Sequence, residues 1–205
     1  MHKHKPTPSA AGNTPLGQHA PPVRPAAAVK APLSAFSTLN AIPQIINLMP
    51  GQWHFGQGAT LKTLLGSCVA ITLWHPLKRY GGMCHFLLPS RASRGQGPLD
   101  GRYGDEAVEL LLQSIARTGT KPSDYIAHLY GGADTMPDGM NVKFNVGERN
   151  IEQGWALIDN NGFQLKDVDV GDNVPRTVVI DLASGRVEVK RSQAPGAPGT
   201  LGARK

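Results

Sequence analysis

Along most of the chain apolar positions come in short runs broken by Gly and Pro, and only two stretches repeat at a helical period. Pro43 to Met49 (PQIINLM) reads as a first strand, closed by a Pro-Gly turn at 50–51. Residues 61–65 (LKTLL) run into Gly66-Ser67-Cys68, and 69–74 (VAITLW) is short and β-branched, which predicts a buried strand closed by His75-Pro76. Tyr80 to Leu88 is a further strand-like run ending at Pro89, followed by a polar, Gly-rich loop over 90–102. Asp105 to Thr118 is the clearest helix. Val108, Leu111, Leu112 and Ile115 fall on one stripe, the first turn is acidic, and Gly119 is the stop. Tyr125 to Tyr130 predicts a strand ending at Gly131-Gly132. A second helix begins near Asn150, with Ile151, Trp155 and Ile158 as its apolar face and Asn161-Gly162 as its end. Strands at 163–170, 176–182 and 186–190 close the chain, the last two joined as a hairpin through Ala183-Ser184-Gly185. Many strands with two helices predict an α+β fold of mixed sheets in a sandwich. The alternation is too irregular for a doubly wound parallel sheet.

Composition trims the domain. Residues 1–42 hold seven Pro and no acidic residue, and 192–205 reads SQAPGAPGTLGARK. Neither segment buries enough apolar surface to offset its ordering entropy, so both are expected to be disordered tails around a domain at 43–191. Charge follows the same division. The chain is +6, but residues 1–42 carry +4 and 190–205 another +4, leaving the core at −2. A nucleic-acid partner is therefore not expected, since the core has no basic stripe with interleaved aromatics. No segment approaches the roughly 20 apolar residues of a membrane span, and no apolar run follows the basic N-terminus as a secretory signal requires. Two cysteines make no disulfide framework, and a reducing, cytoplasmic location is the simplest expectation.

Chemistry concentrates around those cysteines. Cys68, in Leu65-Gly66-Ser67-Cys68-Val69, is a candidate nucleophile. A thiol attacks as thiolate and needs a nearby base, because the following segment reads as a strand and offers no helix N-terminus. Gly66 permits close backbone approach, and the N–H groups around Ser67 and Cys68 are candidates for an oxyanion hole. The bland alternative is a small buried hydrophobe, the commoner fate of a lone cysteine. His85 is the candidate base, on the next strand 17 residues on, with a hydrogen-bonded core histidine as the bland alternative. A pair of this kind would carry Cys68 reactivity to lower pH than that of a free thiol. Strand alternation turns Cys84 away from the face that His85 uses, so Cys84 is expected to be a packing residue. The same split, and a spacing unlike any common zinc pattern, argue against a metal held by Cys68, Cys84 and His85. Thr63 is placed to orient His85, or is only a good β-former. The Gly-Gly-Ala turn at 131–133 reads as a tight turn and not a phosphate cradle.

The blocks LKTLLGSCVAITLWHP, GGMCHFLLP, YGDEAVELLL, YGGADTM, VGERN and VDVGDNVPRTVVIDLASGRVEV, in this order over 44–190, resemble the chemoreceptor glutamine deamidases of the CheD family. The resemblance implies a cysteine hydrolase, a protein-glutamine glutaminase that converts receptor Gln side chains to Glu and releases ammonia without a cofactor. It implies Cys68 as nucleophile, His85 as its histidine and Thr63 as the upstream threonine. It also implies stacked sheets with helices outside, as in the catalytic domain of glutamine-deamidating toxins. The implied partners are the cytoplasmic domains of chemotaxis receptors, with the phosphatase CheC as a further one. Three positions depart from the family's common residues: His75 stands for an Asp, His128 for a Lys and Asp172 for a Gly. The competing class is a non-catalytic binding module that regulates a phosphatase or receptor, and an intact Cys68–His85 pair favours the enzyme.

Overall fold

Short β-branched runs and two amphipathic stretches become nine strands and two helices in the computed structural model, which describes residues 44–92, 97–134 and 146–192. The strands are β1 (Ile45–Asn47), β2 (Trp53–Gly56), β3 (Thr60–Leu65), β4 (Val69–Trp74), β5 (Gly81–Phe86), β6 (Ile126–Gly131), β7 (Gln164–Val170), β8 (Arg176–Asp181) and β9 (Arg186–Arg191). The helices are α1 (Gly104–Arg117) and α2 (Val146–Asn160). The expected tail at 1–42 lies outside the described residues, as does that at 192–205 apart from Ser192. The described residues all belong to one unit, Ala41–Lys205.

The strands form two sheets. One has the order β1-β3-β8-β9 and the other β2-β5-β4-β6-β7. Both mix parallel and antiparallel pairs: β1 with β3 and β6 with β7 are parallel, the rest antiparallel. This is the expected α+β class.

Side-chain alternation generates two cores. Leu61 and Leu65 of β3, Ala70 of β4, Met83 of β5, Tyr130 of β6 and Val178 and Ile180 of β8 fill the space shared by the two sheets. Val69, Ile71 and Leu73, with Cys84 and Phe86, turn the other way and pack under Val108, Leu111 and Ile115 of α1 and Ile158 of α2. β4 is thus covered on both faces, which is why VAITLW carries no polar alternation.

Two local expectations change. The strand β2 was not anticipated, because WHFG is short, half-buried throughout and gives no period; it exists as an edge partner of β5. The buried stripe of α2 is Gly147, Asn150, Gly154 and Ile158, while Trp155 is 43% exposed and Ile151 half-buried. Small residues face the sheet because the helix lies close to it: a Cβ on Gly154 would stand 2.5 Å from Leu129 Cδ1.

Candidate active site

The link from β3 to β4 carries the chain from one sheet to the other, and Gly66-Ser67-Cys68 is that link. Inward alternation on β3 puts Thr63 in the space between the sheets, and inward alternation on β5 puts His85 there from the opposite side. The two meet across it, Thr63 Oγ1 lying 2.7 Å from His85 Nδ1. Thr63 Oγ1 also donates to the Leu48 carbonyl at 2.8 Å. A carbonyl only accepts, so the hydroxyl proton is used there, and Nδ1–H of His85 must donate to Thr63 Oγ1. That assigns the tautomer with an unprotonated Nε2. His85 is 1% exposed, and its Nε2 has no hydrogen-bond partner among the described residues. The His85 backbone is fixed from the 51–52 loop, its N–H donating to Gln52 O at 3.0 Å and its carbonyl accepting from Gly51 N–H at 2.8 Å.

Cys68 packs at the edge of the same inter-sheet core and is half-buried, whereas Cys84 is fully buried among the helix-side residues. Cys68 thus borders the core into which His85 points, and Cys84 does not. All three carbonyls of the Gly66-Ser67-Cys68 link are held. Ala133 N–H donates to Gly66 O at 2.8 Å and Gly132 N–H to Cys68 O at 2.8 Å. Asn150 Nδ2 donates to Ser67 O at 3.1 Å and to Leu87 O at 2.8 Å. The Gly-Gly-Ala turn is therefore a clamp on the link. Gly131 has φ 113°, and a Cβ there would collide with the Cys68 carbonyl oxygen. Neither Ser67 N–H nor Cys68 N–H donates to another backbone group among the described residues. These are donors of the kind an oxyanion needs.

The electrostatics favour neutral groups. Burial pushes the Cys68 thiol up, its own backbone N–H opposing this in part. Burial pulls His85 down to about 4, against the opposing Leu48 carbonyl. Cys84, fully desolvated, is pushed up to about 12. Burial of both groups works against the expectation that Cys68 reacts at lower pH than a free thiol. Among the described residues no cation stabilises the thiolate, and the imidazolium that would do so is itself penalised by burial.

His75, His128 and Asp172, which the resemblance singles out, are each accommodated. His75 Nδ1 accepts from Leu77 N–H and Lys78 N–H, both at 3.3 Å, as a carboxylate would in a turn. His128 Nδ1 lies 2.9 Å from Thr72 Oγ1 and its ring stacks on Tyr130. Asp172 takes φ 60°, a left-handed conformation that Asp tolerates better than most residues. Sequence reasoning missed the contribution of Asn150, Leu48 and the 131–133 turn to this site. The positive-φ demand of Gly-Gly was the one local signal for the last of these.

A family model described as CheD chemotactic sensory transduction matches residues 87–191, a span that begins after both Cys68 and His85. A Chromobacterium violaceum protein named "Probable chemoreceptor glutamine deamidase CheD 1" is 42% identical over 177 residues, covering 85% of this chain and 92% of that protein. A Pseudomonas syringae pv. tomato protein named "Probable chemoreceptor glutamine deamidase CheD" is 45% identical over 148 residues, covering 71% of this chain and 88% of its own. One of the same name from Thermococcus kodakarensis is 35% identical over 127 residues, 62% of this chain and 79% of its own. Among solved structures, the Bacillus licheniformis hypothetical protein YfiH aligns with a TM-score of 0.37 and 15% identity over 57% of this chain and 49% of that one, too slight a likeness to carry an argument. No described helix is long and apolar enough to cross a membrane. By the family match and by relatives aligned over most of its length, this chain belongs to the CheD chemotactic sensory transduction family.

Proposed function

We propose that this chain deamidates glutamine side chains on the cytoplasmic domains of chemotaxis receptors, with Cys68 as nucleophile, His85 as general base and acid, and Thr63 as the residue that orients the imidazole. The carrying observation is the Thr63–His85 hydrogen bond between the sheets, which leaves Nε2 unprotonated and without a partner beside the core that Cys68 borders. His85 Nε2 takes the thiol proton as Sγ attacks the side-chain carbonyl carbon, so a resting ion pair is not required. The tetrahedral oxyanion is held by the N–H groups of Ser67 and Cys68. Nε2–H then protonates the leaving nitrogen, the C–N bond breaks, and ammonia departs from a thioester. Water, deprotonated by the same nitrogen, cleaves the thioester to Glu and returns the thiol. No step calls for a cofactor.

The names of the relatives support the substrate class. A cytoplasmic location follows from that substrate. The toxin-like architecture and a CheC-type phosphatase partner are carried by the family resemblance, and co-elution with CheC tests the latter. We also assign the domain to 43–191, with 1–42 and 192–205 as tails. The deciding experiment is mass spectrometry of a receptor cytoplasmic fragment after incubation with the protein. Conversion of Gln to Glu by the wild type and none by Cys68→Ala is expected. Unchanged Gln with the active-site residues intact supports the binding module instead.

A further inference from the structure

We infer that Asn150 is a positioning residue for this reaction, setting where the Cys68 thiol stands relative to the His85 imidazole. The inference rests on the assignment of Cys68 and His85 made above. Asn150 is the fifth residue of α2 and is fully buried, 0% exposed. Its single amide nitrogen donates to two carbonyls, Ser67 O at 3.1 Å and Leu87 O at 2.8 Å. Ser67 is the neighbour of the nucleophile, and Leu87 follows the base by two residues.

The topology shows why a bridge is needed there. β4 and β5 are paired from Trp74↔Gly81 to Val69↔Phe86, and the ladder stops at that last pair. Continued, the register would set Cys68 opposite Leu87. The strands part at the level where nucleophile and base must be held together, and Asn150 joins the two separating backbones in place of the next ladder bonds. Among the described residues the other two carbonyls of the link are held by the 131–133 turn, which fixes the link to β6 and not to the His85 strand. Asn150 is thus the described side chain that refers the nucleophile link directly to the strand of the base.

The choice of side chain fits this task. Two donors on one uncharged atom are available only from a carboxamide; an ionised carboxylate offers none and a hydroxyl one. Asn150 Oδ1 is buried with no partner among the described residues. An apolar side chain would fill the space without that orphaned acceptor, so the donor pair is what the position uses.

The test compares full-length Asn150→Ala and Asn150→Ser with Ile158→Ala, which opens a cavity on the same helix without touching the link. For each, melting temperature, kcat and KM on the receptor fragment, and the rate of Cys68 alkylation by iodoacetamide across pH are measured. Well below the melting temperature, Asn150→Ala is expected to lose about a hundredfold in kcat, the scale of a 1 Å misplacement, with KM nearly unchanged. Its alkylation profile should shift as the thiol moves. Asn150→Ser, with one donor, should fall between, and it decides the matter if the alanine variant does not fold. Ile158→Ala should keep wild-type kcat. Wild-type kcat in the folded Asn150 variants overturns the inference, as does an equal kcat loss in Ile158→Ala. If Cys68→Ala is inactive while Asn150→Ala is fully active, this inference alone fails; an active Cys68→Ala sinks the assignment beneath it.

Discussion

At the scale of single residues, the proposed chemistry turns on one proton: the one on His85 Nδ1. Thr63 can keep it there because the Leu48 carbonyl has already taken the hydroxyl hydrogen. Thr63→Val removes that acceptor and frees the ring to rotate or change tautomer. It is expected to lower kcat by about 10²-fold, the lower range of a general acid–base contribution, and Thr63→Ser should restore most of it. Activity equal to wild type in Thr63→Val would mean that the ring is held by packing alone. The state of the thiol gives a separate prediction. With Cys68 pushed up and His85 pulled down, alkylation of Cys68 should rise only at or above the ordinary thiol value of about 8.5. A rise well below that value would reveal a resting thiolate–imidazolium pair. Cys84→Ala should keep activity, since its sulfur lies on the helix side of the sheet. Period-two alternation made the opposite orientations of His85 and Cys84 readable in the sequence, while Thr63 there stood equally as a β-former. Asn150 was not readable, because its partner Ser67 is 83 positions away and a buried Asn near a helix start looks like any capping residue.

At the scale of elements, α2 shows where a sequence pattern misleads. The large apolar residues Ile151 and Trp155 mark one stripe, yet the face laid on the sheet is Gly147, Asn150, Gly154 and Ile158. Hydrophobic periodicity assumes that bulk seeks the interior. It does not anticipate a helix drawn in so close that three of its four buried positions from Gly147 to Ile158 are small; a Cβ on Gly147 would stand 2.5 Å from the Gly132 carbonyl oxygen. The central strand β4 was legible for the opposite reason, since a strand covered on both faces must be apolar throughout. The close approach of α2 has a measurable consequence. On helix propensity alone, Gly154→Ala should stabilise by about 1 kcal/mol. Here the added Cβ meets the buried Leu129 side chain, and overpacking of this kind costs about 1–3 kcal/mol. A net loss in urea-unfolding free energy is expected. A gain would show that α2 does not pack this tightly on β6.

At the scale of the whole molecule, the two sheets are tied at both levels of the sandwich by polar groups whose charge states answer to pH. Thr63 of β3 meets His85 of β5, and Arg176 of β8, 0% exposed, pairs with Asp169 of β7 at 2.7 Å. Asp169 also takes Arg191 of β9 at 2.6 Å, and Arg176 reaches the carbonyls of Asp169 and Gly171. Removing the carboxylate leaves a buried guanidinium with carbonyls alone, so Asp169→Ala should cost about 3 kcal/mol, the lower end for a broken buried pair because Asp169 keeps some solvent access. The pH dependence then has two windows of the same sign. His85 binds its proton less readily folded than unfolded, and burial moves His54 and His128 the same way. The unfolded chain therefore takes up more protons as pH falls from 6.5 toward about 4, and stability drops across that range. The slope is at most about 1.4 kcal/mol per pH unit from His85. Asp169 is held below the usual carboxylate range, chiefly by Arg191, so its contribution is present above about pH 4 and is lost as pH falls through its folded value. Urea-unfolding midpoints measured from pH 8 to pH 3 should decline gently, then steeply. His85→Gln should make the first window shallower, leaving the part from His54 and His128, and should keep the second, while Asp169→Asn should lower the whole curve and flatten the second. Stability that stays level or rises as pH falls from 6.5 to 4 in the wild type would mean that His85 is not buried as a neutral ring between the sheets.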